Sequence, residues 1–85
     1  MMGKRAVFLD RDDTLIVNVP YLGDPSLVQL MPGAAAAVQE LRRQNLTLVV
    51  ISNQSGVGRG LITKEQVRAV DARMEELLGG GSIFA

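Results

Sequence analysis

Two short apolar runs, with a helix-forming segment between them, constrain the fold of this 85-residue chain more than any other feature. Residues 5–10 (RAVFLD) and 46–52 (LTLVVIS) have the continuous hydrophobic pattern of strands buried on both faces of a parallel sheet. Residues 31–45 predict the helix, with Pro32 in its first turn and basic residues near its end. A strand–helix–strand unit of this length implies a parallel sheet joined by a right-handed crossover. We therefore expect an α/β fold.

A mixed connection follows the first strand, and a polar, glycine-rich loop follows the second. Residues 15–30 mix β-branched residues with prolines and glycine, which predicts a loop or short hairpin rather than a core element. Residues 53–61 (NQSGVGRGL) form a glycine-rich polar loop directly after the second strand. Both strands end in polar clusters, Asp10 to Thr14 and Ser52 to Gln54, and we expect these clusters at the same edge of the sheet, where open α/β folds bind their ligands.

A second helix is predicted over residues 64–78. Thr63 is the expected N-cap, and Gln66 stands three residues later in the capping-box position. One face of this helix is apolar at helical spacing and comprises Val67, Val70, Met74, Leu77 and Leu78. The glycines at 79–81 end the helix, and residues 82–85 predict the beginning of another strand.

Composition and charge exclude several classes of protein. Hydrophobic residues make up 47% of the chain, which is typical of a small globular domain with a marginal core. Nine basic and nine acidic residues cancel, so no charge excess favours a nucleic-acid partner. No apolar run suits a signal peptide or a membrane span, which predicts a cytoplasmic protein without a membrane partner. Without cysteine or histidine, any metal site must use oxygen ligands, which favour magnesium or calcium.

Three aspartates, Asp10, Asp12 and Asp13, crowd the end of the first strand. Aspartates are common in turns, so this cluster alone does not establish a site. A calcium-binding EF-hand is excluded, because Leu15 and Tyr21 occupy the positions that require glycine and glutamate. Phosphoryl transfer suits the pattern better: one carboxylate beside magnesium can attack phosphorus, and a second can protonate the leaving oxygen.

The sequence resembles the haloacid dehalogenase-like phosphatases, in the branch that contains heptose bisphosphate and histidinol-phosphate phosphatases. The resemblance rests on FLDRDDTLI (8–16), the connection YLGDPSLVQLMPGA (21–34) and SNQSGVGRG (52–60), and it extends over essentially the whole chain. It implies that residues 1–85 form the N-terminal part of one domain with a three-layer, doubly wound parallel sheet. It also implies a magnesium-dependent hydrolase of a small phosphorylated sugar or metabolite, such as D,D-heptose 1,7-bisphosphate.

The resemblance also implies roles for individual residues. Asp10 corresponds to the nucleophile that becomes an aspartyl phosphate and binds Mg²⁺. Asp12 corresponds to the general acid/base, whose backbone carbonyl also binds the metal. Phosphate or substrate contacts are implied for Thr14, Ser52, Asn53 and Arg59, although for Arg59 a packing role is an equal alternative.

The sequence departs from the family pattern in two ways. Asp13 stands where the family has glycine, which suggests either a backbone conformation that glycine adopts most easily or a close approach that leaves no room for a side chain. Residues 1–85 contain no counterpart of the family's later lysine and acidic motifs, or of this branch's cysteine/histidine zinc loop. Lys64 is no substitute for that lysine, because it belongs to the first turn of the second helix.

These departures leave other functions open. The chain could be an inactive fragment or a binding remnant that self-associates through open sheet edges. Within the same superfamily, histidinol-phosphate phosphatase and polynucleotide 3′-phosphatase are alternatives, and the balanced net charge argues weakly against the second.

Overall fold

The structure is a computed structural model that describes residues 5–52 and 55–80. Its sheet consists of two parallel strands, β1 (Ala6–Asp10) and β2 (Thr47–Ile51). Ala6 pairs with Thr47 at one end of the sheet, and Asp10 pairs with Ile51 at the other. The predicted α/β class with a parallel sheet is confirmed, and each strand lies within the range that its apolar run predicted.

Helix α1 (Ala34–Arg43) connects the two strands, within the predicted range of 31–45. Pro32 lies outside the helix, so the prediction that it occupies the first turn is wrong. The reason is Gly33, whose φ of 80° places it in the left-handed region as the N-cap, and the helix begins only after it. At the other end, Asn45 has a φ of 60°, which turns the chain toward β2.

The polar loop predicted over 53–61 contains a short helix, α2 (Ser55–Gly58). The prediction of an irregular loop is therefore wrong at these four positions. Asn53 and the strand predicted over 82–85 fall outside the described residues.

Helix α3 (Lys64–Leu77) agrees with the predicted range of 64–78. Its capping box is complete: the Gln66 N–H donates to Thr63 Oγ1 at 3.1 Å, and the Thr63 N–H donates to Gln66 Oε1 at 2.8 Å. On the predicted apolar face, three side chains are fully buried and two are half-buried. The helix ends as predicted at glycines, since Gly79 and Gly80 both have positive φ.

The connection over residues 15–30 contributes to the core, which contradicts the prediction that it would not. Leu15, Ile16 and Leu22 are at most 3% exposed. A short antiparallel pairing holds the two ends of the connection together, with the Val17 N–H donating to the Gln29 carbonyl at 2.8 Å. The hairpin expectation is therefore met in its backbone, while its apolar side chains pack inward.

One face of the sheet carries the core. The buried cluster comprises residues from the 15–30 connection, both long helices and β2, namely Leu15, Ile16, Leu22, Ala34, Val38, Leu48, Val50, Val70, Met74 and Leu78. On the opposite face Phe8 is 65% exposed and Ile51 is 51% exposed. Both long helices pack on the same side of the sheet, so within the described residues 5–52 and 55–80 the strands are covered on one face. The expectation that both strands are buried on two faces is wrong there.

No helix in the described part of the chain is long and apolar enough to cross a membrane.

Candidate active site

The two strand ends lie side by side, as the parallel register requires. Asp10 is the last residue of β1 and pairs with Ile51, so Ser52 follows directly beside it. The Arg11 N–H donates to the Ile51 carbonyl at 3.2 Å, which continues the pairing one residue past β1. Asp10 is exposed and Ser52 is half-buried. The prediction that these polar residues meet at one edge of the sheet is confirmed.

The acidic segment forms a tight turn immediately after β1. The N–H groups of Leu15 and Ile16 both donate to the Arg11 carbonyl, at 2.9 and 3.0 Å. Asp12 and Thr14 belong to this turn, two and four residues after Asp10, and Thr14 is exposed to solvent. Their catalytic and phosphate-binding roles remain predictions.

Asp13 adopts the backbone conformation that the family glycine suggested. Its φ is 63°, in the left-handed region that favours glycine and, among other residues, aspartate and asparagine. The side chain is exposed, and its Oδ1 accepts a hydrogen bond of 3.3 Å from the Asn18 N–H. The third carboxylate is therefore turned toward the chain that follows it and toward solvent.

The sequence did not predict the role of Arg11, which is a buried partner of two aspartates. Its side chain is only 4% exposed, although it lies between two aspartates in the sequence. The guanidinium donates to Asp12 through Nε and Nη2, at 3.2–3.3 Å, and to Asp71 of α3 through Nη1, at 3.1 Å. A sequence signal for Asp71 did exist: it stands four residues after Val67 and three before Met74, within the apolar face of α3.

Burial changes the titration of Asp71. Its side chain is 19% exposed, and this burial raises the pKa of Asp71 above its ordinary value. The hydrogen bond and the positive charge of Arg11 act in the opposite direction, and the negative charges of Glu75 and Asp12 raise the pKa further. Desolvation of the carboxylate is the dominant effect.

Arg59 bridges the two segments that follow the strands. Its Nη1 donates to the Tyr21 hydroxyl at 3.0 Å, in an exposed contact between the 15–30 connection and the residues after α2. Tyr21 has a φ of 53°, so this contact involves a residue held in an uncommon conformation. The contact gives Arg59 a packing role and leaves its predicted role toward substrate as a prediction.

An open groove of about 590 Å³ lies beside this bridge. It is lined by residues of the 19–27 and 61–66 segments, including Tyr21, Leu27, Leu61 and Gln66. Asp10 and Asp12 are not among its described lining residues. The groove therefore neighbours the predicted site without containing the predicted reactive groups.

The donor set at the strand end suits magnesium in part. The Asp10 carboxylate and the Asp12 backbone carbonyl are oxygen donors, which Mg²⁺ prefers over nitrogen or sulfur ligands. In the part of the chain that the structure describes, no group of three or more acidic, histidine or cysteine residues is arranged to hold a metal. Binding of magnesium by Asp10 and Asp12 therefore remains a prediction.

No family profile matches the sequence. Individual proteins do match. The D-glycero-beta-D-manno-heptose-1,7-bisphosphate 7-phosphatase of Mesorhizobium japonicum is 38% identical over 79 residues, which is 93% of this chain and 36% of that protein. The phosphatase of the same name from Haemophilus ducreyi is 36% identical over 74 residues, or 87% of this chain and 41% of that protein.

Solved structures agree with these relatives. A HAD-like phosphatase from Mesorhizobium loti superposes with a TM-score of 0.83 and 39% identity, covering 88% of this chain and 36% of that one. This confirms the resemblance to haloacid dehalogenase-like phosphatases. The D,D-heptose 1,7-bisphosphate phosphatase from B. bronchiseptica, solved with magnesium and phosphate, gives a TM-score of 0.84 at 27% identity. That match covers 94% of this chain and 47% of the phosphatase.

Each of these four matches covers less than half of the longer protein. This chain spans between 36% and 47% of the length of these four phosphatases, and it corresponds to their N-terminal part. Activity, substrate and metal therefore come to this chain as proposals.

Proposed function

We propose that this chain carries the nucleophile and general acid/base of a magnesium-dependent phosphomonoester hydrolase that acts on a small phosphorylated sugar. The observation that supports it most is the position of Asp10 at the carboxyl end of β1, beside Ser52, in a chain 38% identical to a heptose bisphosphate phosphatase. D,D-heptose 1,7-bisphosphate is the proposed substrate, because the sequence relatives reported above bear its name.

In the proposed reaction, an Asp10 carboxylate oxygen attacks the phosphorus of the substrate. The bond between phosphorus and the sugar oxygen breaks, and Asp12 gives its proton to that oxygen, which leaves as an alcohol. Asp12 then takes a proton from water as the water attacks the aspartyl phosphate, which releases inorganic phosphate and restores both carboxyl groups. Magnesium, when bound, would offset the negative charge that Asp10 and the phosphate bring together.

Neutral and cationic side chains are proposed to hold the phosphate. Thr14 and Ser52 offer hydroxyl groups at the two strand ends, and Asn53 offers an amide directly after Ser52. Such groups bind non-bridging phosphate oxygens without adding negative charge. Arg59 is proposed to contact the substrate from the segment after α2. Its hydrogen bond with Tyr21 is either kept or broken when the substrate binds.

The 85 residues contain no counterpart of the family's later lysine and acidic motifs. Without them, the site lacks the family's lysine beside the phosphate, and magnesium lacks a third protein ligand. We therefore propose that the 85-residue chain alone hydrolyses phosphomonoesters at or near the background rate.

A chimera tests this function. The chain is joined to the part of the Mesorhizobium japonicum phosphatase that lies beyond the matched region, and phosphate release from D,D-heptose 1,7-bisphosphate is measured with and without Mg²⁺. We expect turnover that depends on Mg²⁺ and falls to background in Asp10→Asn. Glu40→Gln is the matched control, since it removes a carboxylate of an exposed pair with Arg43, and its turnover should equal that of the unmodified chimera.

Two results would contradict the proposal. One is a folded chimera that releases no phosphate. The other is turnover that survives Asp10→Asn, which would place the nucleophile elsewhere. A 3′-phosphorylated oligonucleotide and histidinol phosphate serve as comparison substrates. If the chimera hydrolyses either of them faster than the sugar phosphate, that compound class becomes the proposed substrate.

A further inference from the structure

Arg11 is a buried cation whose charge is matched by carboxylates from two different parts of the chain. Its guanidinium is 4% exposed and reaches Asp12, its neighbour in the turn, and Asp71, which lies 60 residues later on α3. Asp12 and Asp71 are themselves 27% and 19% exposed. In the described residues, no buried side-chain polar atom lacks a hydrogen-bond partner.

The contact with Asp12 involves both of its carboxylate oxygens. Arg11 Nη2 lies 3.2 Å from Oδ1 and 3.3 Å from Oδ2, and Nε lies 3.3 Å from Oδ1. A planar guanidinium that binds a carboxylate at both oxygens restricts the rotation of that carboxylate as well as its position. The direction of the Asp12 side chain is thus tied to the conformation of Arg11.

Arg11 has a long side chain with several rotatable bonds, so it needs its own anchor. Asp71 provides one through the 3.1 Å bond to Nη1. Asp71 lies on α3 between Val70 and Met74, both completely buried, so the anchor belongs to a helix that is fixed in the core. This arrangement extends from the core of α3, through Asp71 and Arg11, to the Asp12 carboxylate.

From this geometry we infer that Asp71 is a positioning residue for the site: it anchors Arg11, which in turn fixes the direction of the Asp12 carboxylate. This inference rests on the proposed function, in which Asp12 is the general acid/base. A general acid must lie within hydrogen-bond reach of the leaving oxygen, so its direction matters as much as its identity. A residue outside the strand-end segments would then control the geometry of the reaction.

The test measures the order of the Asp12 side chain directly and needs no catalysis. The full 85-residue chain, labelled with ¹³C and ¹⁵N and free of metal and substrate, is studied by NMR. Three-bond couplings to the Asp12 carboxyl carbon report whether the side chain occupies one rotamer or several. The hydrogen-exchange rate of the Arg11 Nε–H reports whether the guanidinium stays bound.

In the unmodified chain we expect one Asp12 rotamer and a protected Arg11 Nε–H. In Asp71→Asn we expect couplings averaged over several rotamers and exchange faster by about tenfold or more, because a charge-assisted hydrogen bond is weakened. Glu76→Gln is the matched control on the same helix, since it removes a carboxylate that is exposed and paired only loosely, at 3.9 Å, with Arg73. It should leave both measurements unchanged.

Several outcomes would overturn the inference. Averaged Asp12 couplings in the unmodified chain would mean that the guanidinium does not fix the carboxylate. Unchanged couplings in a folded but less stable Asp71→Asn chain would make Asp71 a purely structural partner. If Asp71→Asn does not fold, Arg11→Lys decides, because lysine keeps the charge but cannot bind both oxygens in a planar fork.

An Asp12 side chain that remains in one rotamer in Arg11→Lys would contradict the inference, and averaged couplings would support it. If both variants are unfolded, the two residues serve folding itself and the positioning role is overturned. None of these results depends on phosphate release, so failure of the chimera in the activity assay and failure of the NMR test are separate findings.

Discussion

Replacing Asp13 tests whether the turn after β1 requires a left-handed residue. Its φ of 63° is open to glycine without strain, is tolerated by aspartate and asparagine, and is unfavourable for alanine. We expect Asp13→Ala to destabilise the chain clearly, and Asp13→Gly and Asp13→Asn to change its stability little.

The structure sets the size of these effects. A residue without a local side-chain hydrogen bond is destabilised by about 1–2 kcal/mol in the left-handed region. The Asp13 side chain also accepts the 3.3 Å bond from the Asn18 N–H, an exposed interaction that contributes about 0.5 kcal/mol. Asp13→Ala loses both advantages, so we expect a destabilisation of about 1.5–2.5 kcal/mol.

Glycine behaves differently because two effects oppose each other. Asp13→Gly relieves the backbone strain but loses the bond to Asn18 and increases the entropy of the unfolded chain, which is worth about 0.5–1 kcal/mol. The net change should lie within about 0.5 kcal/mol of zero. Alanine and glycine should therefore differ by about 1 kcal/mol or more, which corresponds to about 4–8 °C in melting temperature per kcal/mol for a domain of this size.

The assay is thermal unfolding followed by circular dichroism, for the unmodified chain and the three variants. A fixed concentration of trimethylamine N-oxide favours the folded state and brings all four transitions into a measurable range. Asp13→Asn retains both the tolerance for positive φ and a side-chain oxygen, so it controls for the loss of charge. Equal melting temperatures for Asp13→Ala and Asp13→Gly would refute the reasoning, because they would mean that the turn does not hold this φ in solution.

Three further predictions follow from burial, titration and the open sheet face. Met74→Ala should destabilise the chain by about 2–5 kcal/mol, because Met74 is completely buried. Arg73 is exposed, so Arg73→Ala should change stability by no more than about 0.5 kcal/mol. Similar melting temperatures for the two variants would contradict this prediction. The Ser26 hydroxyl and N–H donate to Asp24 and lower the pKa of Asp24, so Ser26→Ala should raise that pKa toward its ordinary value of 3.8 in an NMR titration. A lowered pKa stabilises the fold above pH 3.8, and this contribution is lost as the pH falls through the folded-state pKa, so Ser26→Ala should reduce that acid sensitivity. Finally, Phe8→Lys combined with Ile51→Lys should reduce self-association in sedimentation, because both side chains lie on the open face of the sheet, and unchanged association would exclude that face as the contact.

The elements that the sequence predicted well are those with local signals. The capping box at Thr63 and Gln66 fixes the start of α3 within four residues of sequence, and the left-handed glycines after Leu78 fix its end. The meeting of Asp10 and Ser52 was predictable as well, because a parallel register brings the carboxyl ends of both strands to one edge of the sheet. These features depend on neighbours in sequence or on a rule of topology.

The features that the sequence analysis missed depend on contacts between distant residues. The pair of Arg11 and Asp71 joins positions 60 apart, and neither residue is distinctive in isolation. The burial of Leu15 and Ile16 could not be inferred from turn-forming residues that follow them, since burial depends on the helices that pack above. Likewise, an apolar run such as 46–52 predicts a buried strand but does not reveal how many faces are covered.

The open face of the sheet and the proposed nucleophile are physically linked. Side chains alternate along a strand, so Asp10 projects from the same face of β1 as Phe8, and its partner Ile51 is also on that face. Any segment that covered Phe8 and Ile51 would also remove water from the surroundings of Asp10. Electrostatic stabilisation of a developing charge is far stronger in such a water-excluded site than in bulk water. The exposure of Asp10 in the described structure is therefore a second reason, besides the lysine and acid that residues 1–85 lack, to expect weak catalysis from this chain alone.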